Sequence, residues 1–447
     1  MDSIITEFTS VTLPDRRYAS NFNEILIHLN DGLGLSYSRS LGERLRKSAW
    51  RLFSRKELDL QTGHRHHTLD RCAEEKVILA IEDTTDLSYT SHKKSKNWAG
   101  RLGGPDTNQA VGANVHSSML LTQTGIPLGI AYQRIWIPDD KNKGLRRAKI
   151  PIEDKESFKW ILALRQLNSL WKDKKDSVII KISDRESDFY ELYDHPREAG
   201  VELLQRLSHK QRNIIFDNKS YSVSAVLEQL PVWGTGEIKI GRNKTAQERT
   251  ASVSYYATRV TIPPPNYAGK GNLLEMNLIW VKETGASDTG VEWILLTTLS
   301  VESIEDILKC VKYYTYRWVI ERFHYIIKQT LFVEDLQIDD FTRLYNVLQI
   351  YSVIAWHLLW LYRLGRSESK NPARDYFDEQ SIEVLEVVTK KKIKTVDDFI
   401  KTTAQLAGFE PTKQQPNPGE KTLAQAMIRF FALYQGFMAA KQFYDTA

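Results

Sequence analysis

Two runs of the chain constrain its fold more than any others. VILAIEDTTDLSY, from Val77 to Tyr89, is apolar for five residues and then turns acidic. VIIKISDRESDFYELY, from Val178, repeats the plan. A continuous apolar run of this length bounded by polar residues reads as a buried strand. Asp83 and Asp184 stand where the two strands emerge. Between them, AVGANVHSSMLLT and PLGIAYQRIWIPD read as strands joined by a QTG turn. Glu156 to Trp171 reads as a helix, and the segment after Asp184 runs into another. VELLQRLSHKQRN then reads as a strand ending in Arg206, His209, Lys210 and Arg212.

Three strands, a helix, a strand, a helix and a strand, with acids at two strand ends, form the pattern of a ribonuclease-H-like α/β domain. In that pattern the first and fourth strands are neighbours. From about residue 214 to 300 come KSYSVSAVL, GEIKIG, TASVSYYATRVTIP, LLEMNLIWVKE and EWILLTTL. Their alternation predicts an antiparallel β insertion with one wet face. A length of 447 residues suggests about three domains. The expected division is a helical domain over 1–70, an α/β domain over 71–365 carrying the insertion, and a helical C-terminal domain over 366–447.

YYTYRWVIERFHYIIK, from Tyr313 to Lys328, lacks Gly and Pro and reads as one helix. On a wheel of about 100° per residue, Tyr314, Arg317, Glu321 and Lys328 share one side. Val319, Ile320, Phe323, Ile326 and Ile327 share the other, which is a core face. The polar side is either a solvated face with surface ion pairs or a metal-binding carboxylate flanked by phosphate-gripping cations. Further helices are expected at Thr342–Arg363, Ser381–Lys391 and Val396–Leu406, and, after the Pro-rich break FEPTKQQPNPGEK, from Thr422 to about Tyr444. The last helix carries Met427, Phe430, Phe431, Tyr434, Phe437 and Met438. It either packs on its own domain or makes a dimer contact.

The N-terminal region reads as helical, with a capping-box pattern at Ser40 and Glu43. Arg39, Arg44, Arg46, Lys47, Arg51, Arg55 and Lys56 face only Glu43 in charge, with Trp50 beside them. This is either a solvated basic face or a DNA-binding helix. In GHRHHTLDRC, His64, His66, His67 and Cys72 lack a second ligand pair at zinc-site spacing, so an exposed linker is expected. A net charge of +5 is compatible with nucleic acid. Cys72 and Cys310 form no motif, which points to a reducing compartment. The start MDSIITEFTS has no signal-peptide pattern. Tyr345–Tyr362, broken by Asn346, Gln349, Ser352 and His357, reads as a buried helix rather than a membrane span. A cytoplasmic protein is expected.

Asp83, Asp184 and Glu321 are distant in sequence but could converge. Three carboxylates at one strand edge repel and need a cation; hard oxygen ligands with open positions select Mg²⁺ or Mn²⁺. Two such ions would activate a water or a terminal hydroxyl and stabilise the leaving oxygen in phosphoryl transfer. Glu82, Asp86, Glu186 and Asp188 are neighbouring acids. His324 follows Glu321 in an E-x-x-H spacing, but no second such pair exists for a di-iron site. It reads as a supporting or DNA-facing group.

LAIEDTTDLSY, ISDRESDFYELY and YTYRWVIERFH resemble the three acidic blocks of the bacterial cut-and-paste DDE transposases of the Tn-five type, in the insertion-sequence-four family. Tyr314, Arg317, Glu321 and Lys328 match that family's Y-x2-R-x3-E-x6-K signature in full. LPDRRYA near Leu13 and LAGFEPTKQQPNPGEKTL extend the likeness to both ends of the chain. The resemblance implies that Asp83, Asp184 and Glu321 bind two divalent ions and that Tyr314, Arg317 and Lys328 hold the transposon-end strand. It implies that Trp293, 21 residues before Tyr314, stacks a flipped base during hairpin formation. It places Arg206 on DNA and the basic helix with Arg44, Lys47 and Arg51 in the end-recognition domain. The implied activity is nicking, hairpin formation, hairpin opening and strand transfer on double-stranded DNA, transposon ends and target alike, by a homodimer that pairs two ends near the bacterial nucleoid. A non-catalytic DNA-end-binding protein or transposition inhibitor, and a ribonuclease-H-like junction resolvase, are the rival expectations.

Overall fold

A computed structural model describes residues 4–15, 17–32, 40–56, 58–103, 110–138, 150–172, 174, 176–240, 249–266, 271–285 and 290–446. The basic run KNKGLRRAKIP lies almost entirely outside these residues, as does the GPDTN end of the Gly-rich run SHKKSKNWAGRLGGPDTN; the sequence reads both as loops. In chain order the strands are β1 (Val77–Ser88), β2 (Gly100–Arg101), β3 (Val111–Leu121), β4 (Pro127–Trp136), β5 (Val178–Ser183), β6 (Val201–Arg206), β7 (Asn213–Phe216), β8 (Lys219–Ser222), β9 (Gly234–Ile240), β10 (Arg249–Ile262), β11 (Leu274–Glu283) and β12 (Glu292–Thr297). With the helices they make a mixed α/β protein of two compact units.

The first unit comprises 1–75, 84–139 and 319–447; the second comprises 76–83 and 140–318. In the second unit, β1 pairs in parallel with β5, as Val77↔Val178 to Ile81↔Ile182, and β5 pairs in parallel with β6. The expected adjacency of these two strands is therefore present, although β1 does not end at Asp83 as expected but continues to Ser88, while β5 stops at Ser183. Ile78, Leu79, Ala80 and Ile81 are fully buried, as are Ile179 and Ile182. This explains why both strands read as unbroken apolar runs. Antiparallel β12, β11 and β10 continue from β6, with β9 and the β7–β8 hairpin on β10. Along β10, Ala251, Val253, Tyr255 and Ala257 are buried in alternation with more exposed residues, the one-wet-face pattern of the insertion. KSYSVSAVL differs from the expectation. It splits into β8 and a helical turn, Val223–Leu227, because the Ser222 hydroxyl accepts the Ala225 N–H as an N-cap.

In the first unit β3 and β4 form the expected hairpin, with Gly125 at positive φ (83°) in its turn. Its helices include Arg17–Asp31, Glu43–Phe53, Thr62–Arg71, most of Trp318–Tyr325, Phe341–Ser367, Glu379–Thr389, Val396–Gln405 and Glu420–Thr446. Phe341–Ser367 is long and apolar enough to cross a membrane, and 89% of its most apolar stretch is buried. The polar residues that interrupt it have interior partners. Asn346 Nδ2 donates to the Phe53 and Arg55 carbonyls, and Gln349 joins Leu58 O and Leu60 N. The terminal helix divides: Ala426, Met427 and Phe430 are buried, while Leu433 and Phe443 are exposed.

Three local expectations are corrected. Ser40 does not cap the basic helix: Gly42 precedes Glu43–Phe53 without a side-chain cap, and the Ser40 hydroxyl donates to Gly32 O. GHRHHTLDRC is not an exposed linker but most of a helix, Thr62–Arg71, with His64 fully buried. It is held there because His64 bonds Glu7 through Nδ1 and accepts the Ile130 N–H at Nε2, 2.9 Å away. Tyr313–Lys328 is not one helix. Ile304–Thr315 ends, Tyr316 and Arg317 turn, Trp318–Tyr325 resumes, and a π-turn covers Ile326–Thr330.

Candidate active site

Register builds the site in the second unit. The β1–β5 pairing ends at Ile81↔Ile182, two residues before Asp83 and Asp184. The β5–β6 pairing ends at Ser183↔Gln205, one residue before Asp184 and Arg206. Two carboxylates and a guanidinium thus stand beside the ends of the paired stretches of three adjacent parallel strands, which run about 4.8 Å apart. Asp184 also shapes its own loop, because its Oδ1 accepts the Glu186 N–H at 2.9 Å and caps the turn Arg185–Ser187. Arg206 donates to Glu292 O at 3.0 Å.

The turn that ends Ile304–Thr315 brings the second set of residues to this group. Arg317 Nη1 stands 3.4 Å from Asp83 Oδ2. Tyr314 is 2% exposed and Arg317 7%, so this part of the signature is not a solvated face. Tyr314 is buried within Ile304–Thr315, and Arg317 lies in the turn that follows that helix. Burial raises the Tyr314 pKa against the opposing charges of Arg317 and Arg206, with Asp184 adding to the rise, so the phenol stays neutral. Its hydroxyl lies close to the Arg206 guanidinium but makes no hydrogen bond of ordinary geometry among the described residues. A buried phenol held between two guanidinium groups is suited to an anionic ligand oxygen. Burial lowers the pKa of Arg206, and the nearby charges of Arg185 and Arg317 act in the same direction while Tyr314 opposes them. Cations crowded in this way favour an anion between them.

Trp293, on β12, is half-buried and meets the Tyr314 ring edge-to-face at 5.4 Å and 64°. It is neither a core residue nor a free surface ring. Asp83, Asp184, Arg206, Trp293, Tyr314 and Arg317 therefore lie in one neighbourhood of one unit. Two contributors were not singled out from sequence. Arg185 directly follows Asp184, and Trp318, 56% exposed, lies with its ring 4.9 Å from the Arg317 guanidinium. Their positions beside signature residues were the available signal.

Glu321 and Lys328 belong to the first unit, where both are half-buried. Val319, Ile320, Phe323, Ile326 and Ile327 are all buried, as their wheel face predicts. His324 is buried as well, which corrects the DNA-facing reading. Burial pushes its pKa down to about 3, with Lys328 and His116 contributing, so it is neutral at ordinary pH. The basic helix Glu43–Phe53 exposes Arg44, Lys47 and Arg51. Arg44 bonds Asn21 and pairs with Glu24, and Lys47 pairs with Glu43 at 2.9 Å. Exposed pairs of this kind contribute about 0–1 kcal/mol and exchange readily for phosphate.

The donor chemistry fits Mg²⁺ or Mn²⁺ at the level of a pair: Asp83 and Asp184 offer hard oxygens on adjacent strands. Among the described residues, no three His, Cys, Asp or Glu side chains are gathered around one point. Arg317 neutralises part of the charge at Asp83. No protein-family model matches the chain.

Proposed function

We propose that this protein is a DNA transposase of the DDE cut-and-paste kind, built on a ribonuclease-H-like core. The observation that carries the reading is the placement of Asp83, Asp184 and Arg206 on or just past three adjacent parallel strands, with Arg317 against Asp83 and Tyr314 near Asp184 and Arg206. Acids and cations gathered on neighbouring parallel strands suit a reaction on a phosphodiester. The resemblance supplies Glu321 as third carboxylate and Lys328 as a further cation. Asp83, Asp184 and Glu321 would hold two divalent ions, which supply Lewis acidity and an activated water or hydroxyl.

The chain's own residues would do the rest. Arg317 and Arg206 grip phosphate oxygens of the end strand, and the Tyr314 hydroxyl donates to another. Trp293, held edge-on by Tyr314, offers a face to an unstacked base. Arg44, Lys47 and Arg51 take backbone phosphates of the duplex. Each step, from nick to hairpin, hairpin opening and strand transfer, is an in-line attack on phosphorus, so one site serves all four. The exposed half of the terminal helix would contribute to pairing two protomers. A cytoplasmic location follows from this reading.

The test uses pre-cut end DNA taken from the sequence flanking the gene, a target plasmid and Mg²⁺ or Mn²⁺. Wild type should join ends to target, and Glu321→Ala should lose roughly 10²-fold or more while still binding the ends. Equal behaviour of both proteins, with binding and no joining, would make this a non-catalytic end-binding protein.

A further inference from the structure

We propose that the first unit holds a binding site for a small aliphatic polyamine, in a cavity that includes none of the acids of the proposed active site. The cavity measures about 560 Å³ and is lined by residues drawn from 4–7, 71–75, 122–128, 356–360 and 368–376, all within that unit. This volume lies within the usual range for small-molecule pockets.

One wall is aromatic. Trp356, His357 and Trp360 stack along the buried helix, with centroids 6.1 and 5.8 Å apart and planes within 29° and 16°. The charge around that wall is one-sided. Glu7, Glu75, Glu368 and Asp375 line the cavity against the single guanidinium of Arg71. Arg71 is already committed: it donates to Glu7 at 2.8 Å, and its guanidinium carbon lies 4.4 Å over the Trp356 ring. The remaining acids, Glu75, Glu368 and Asp375, have no other Lys or Arg among the cavity's lining residues. Burial raises the pKa of Glu75, with Glu74 adding to the rise, the state of a carboxylate short of positive charge.

This lining selects a ligand class. An anion would be repelled, and a neutral apolar molecule would desolvate the acids without compensation. A bare metal ion would find aromatic faces where it needs oxygens. A polyamine matches both features: ammonium groups for the carboxylates, and methylene stretches and a cation–π contact for the half-buried Trp360 indole. The site does not depend on the catalytic reading.

The test is calorimetric titration of the full-length protein, free of DNA, with spermidine, and with octanediol as a neutral chain. Wild type should give one saturable site for spermidine and none for the diol. Trp360→Ala, and separately the double change Glu368→Gln with Asp375→Asn, should each weaken binding by about tenfold or more. Glu228→Gln, an exposed acid in the second unit, should leave it unchanged. Spermidine should raise the Tm of wild type and of Glu228→Gln but not of the cavity variants, which separates loss of the site from loss of the fold. Absent or non-saturable heat in wild type, or equal weakening by Glu228→Gln, would overturn the proposal.

Discussion

The contact between Trp293 and Tyr314 shows how a residue's role depends on what holds it. A half-buried indole against a buried phenol loses little side-chain entropy when a base arrives, because its rotamer is already set. Base stacking on an aromatic side chain contributes about 1–3 kcal/mol. Trp293→Ala is therefore expected to slow hairpin formation by roughly 10- to 100-fold and to spare first-strand nicking, measured on one labelled transposon end. Equal loss in both steps would remove the stacking role. His324 teaches the converse. Its E-x-x-H spacing suggested a group at the site's surface, yet it lies among Phe323, Lys328 and His116 as a neutral, buried ring.

At the scale of the element, the β1–β5 pair decides whether two aspartates distant in sequence become one site. Just before each aspartate, on the inner course of these strands, Glu82 and Lys181 form an ion pair in which both side chains are completely buried. Lys181 also stands 5.0 Å from the Trp160 ring. Burial lowers the Lys181 pKa, and Glu82 holds it up. Breaking a buried pair from one side costs about 3–5 kcal/mol because the other charge stays behind. Lys181→Met should destabilise the protein by that amount in urea unfolding. The double change Lys181→Met with Glu82→Leu should recover most of the loss, as buried pairs replaced by apolar residues often do. A double variant no better than the single would show that the pair's charge is not the issue. The segment carrying the Y-x2-R-x3-E-x6-K signature is the second decisive element. Tyr314 is buried at the end of Ile304–Thr315, and the turn after it places Arg317 against Asp83.

At the scale of the whole molecule, stability should fall with acid through Glu7, His64 and Arg71. Burial alone would raise the Glu7 pKa, but hydrogen bonds and charge from His64 and Arg71 outweigh it and hold it down to about 2. A carboxylate depressed on folding contributes stability that is fully present above its unfolded value, near 4.5, and lost as pH falls toward 2. Burial lowers the His64 pKa despite Glu7, so the unfolded chain takes up a proton below about 6.5 more readily than the folded one. Both act in the same direction. Unfolding free energy should decline from about pH 6.5 and more steeply below 4.5, by up to about 3 kcal/mol for Glu7. Glu7→Gln should flatten the lower phase while lowering stability at neutral pH; an unchanged profile would exclude the cluster as the acid-sensitive element.

The strands, the β3–β4 hairpin, the antiparallel insertion and the buried face of Trp318–Tyr325 were legible in the amino-acid sequence, because apolar period and turn chemistry are local properties. The expected strand ends hold for one aspartate only: β5 stops at Ser183, just before Asp184, whereas β1 continues past Asp83 to Ser88. Register, the helix break at Tyr316, the burial of Tyr314, His64 and His324, and the aromatic cavity were not legible. Each depends on partners scores or hundreds of residues away, whose meeting only the packed chain specifies. The sequence by itself determined which residues could do chemistry; the tertiary structure decided which of them stand on or beside neighbouring strands, because hydrogen-bond register converts separation along the chain into adjacency across the sheet.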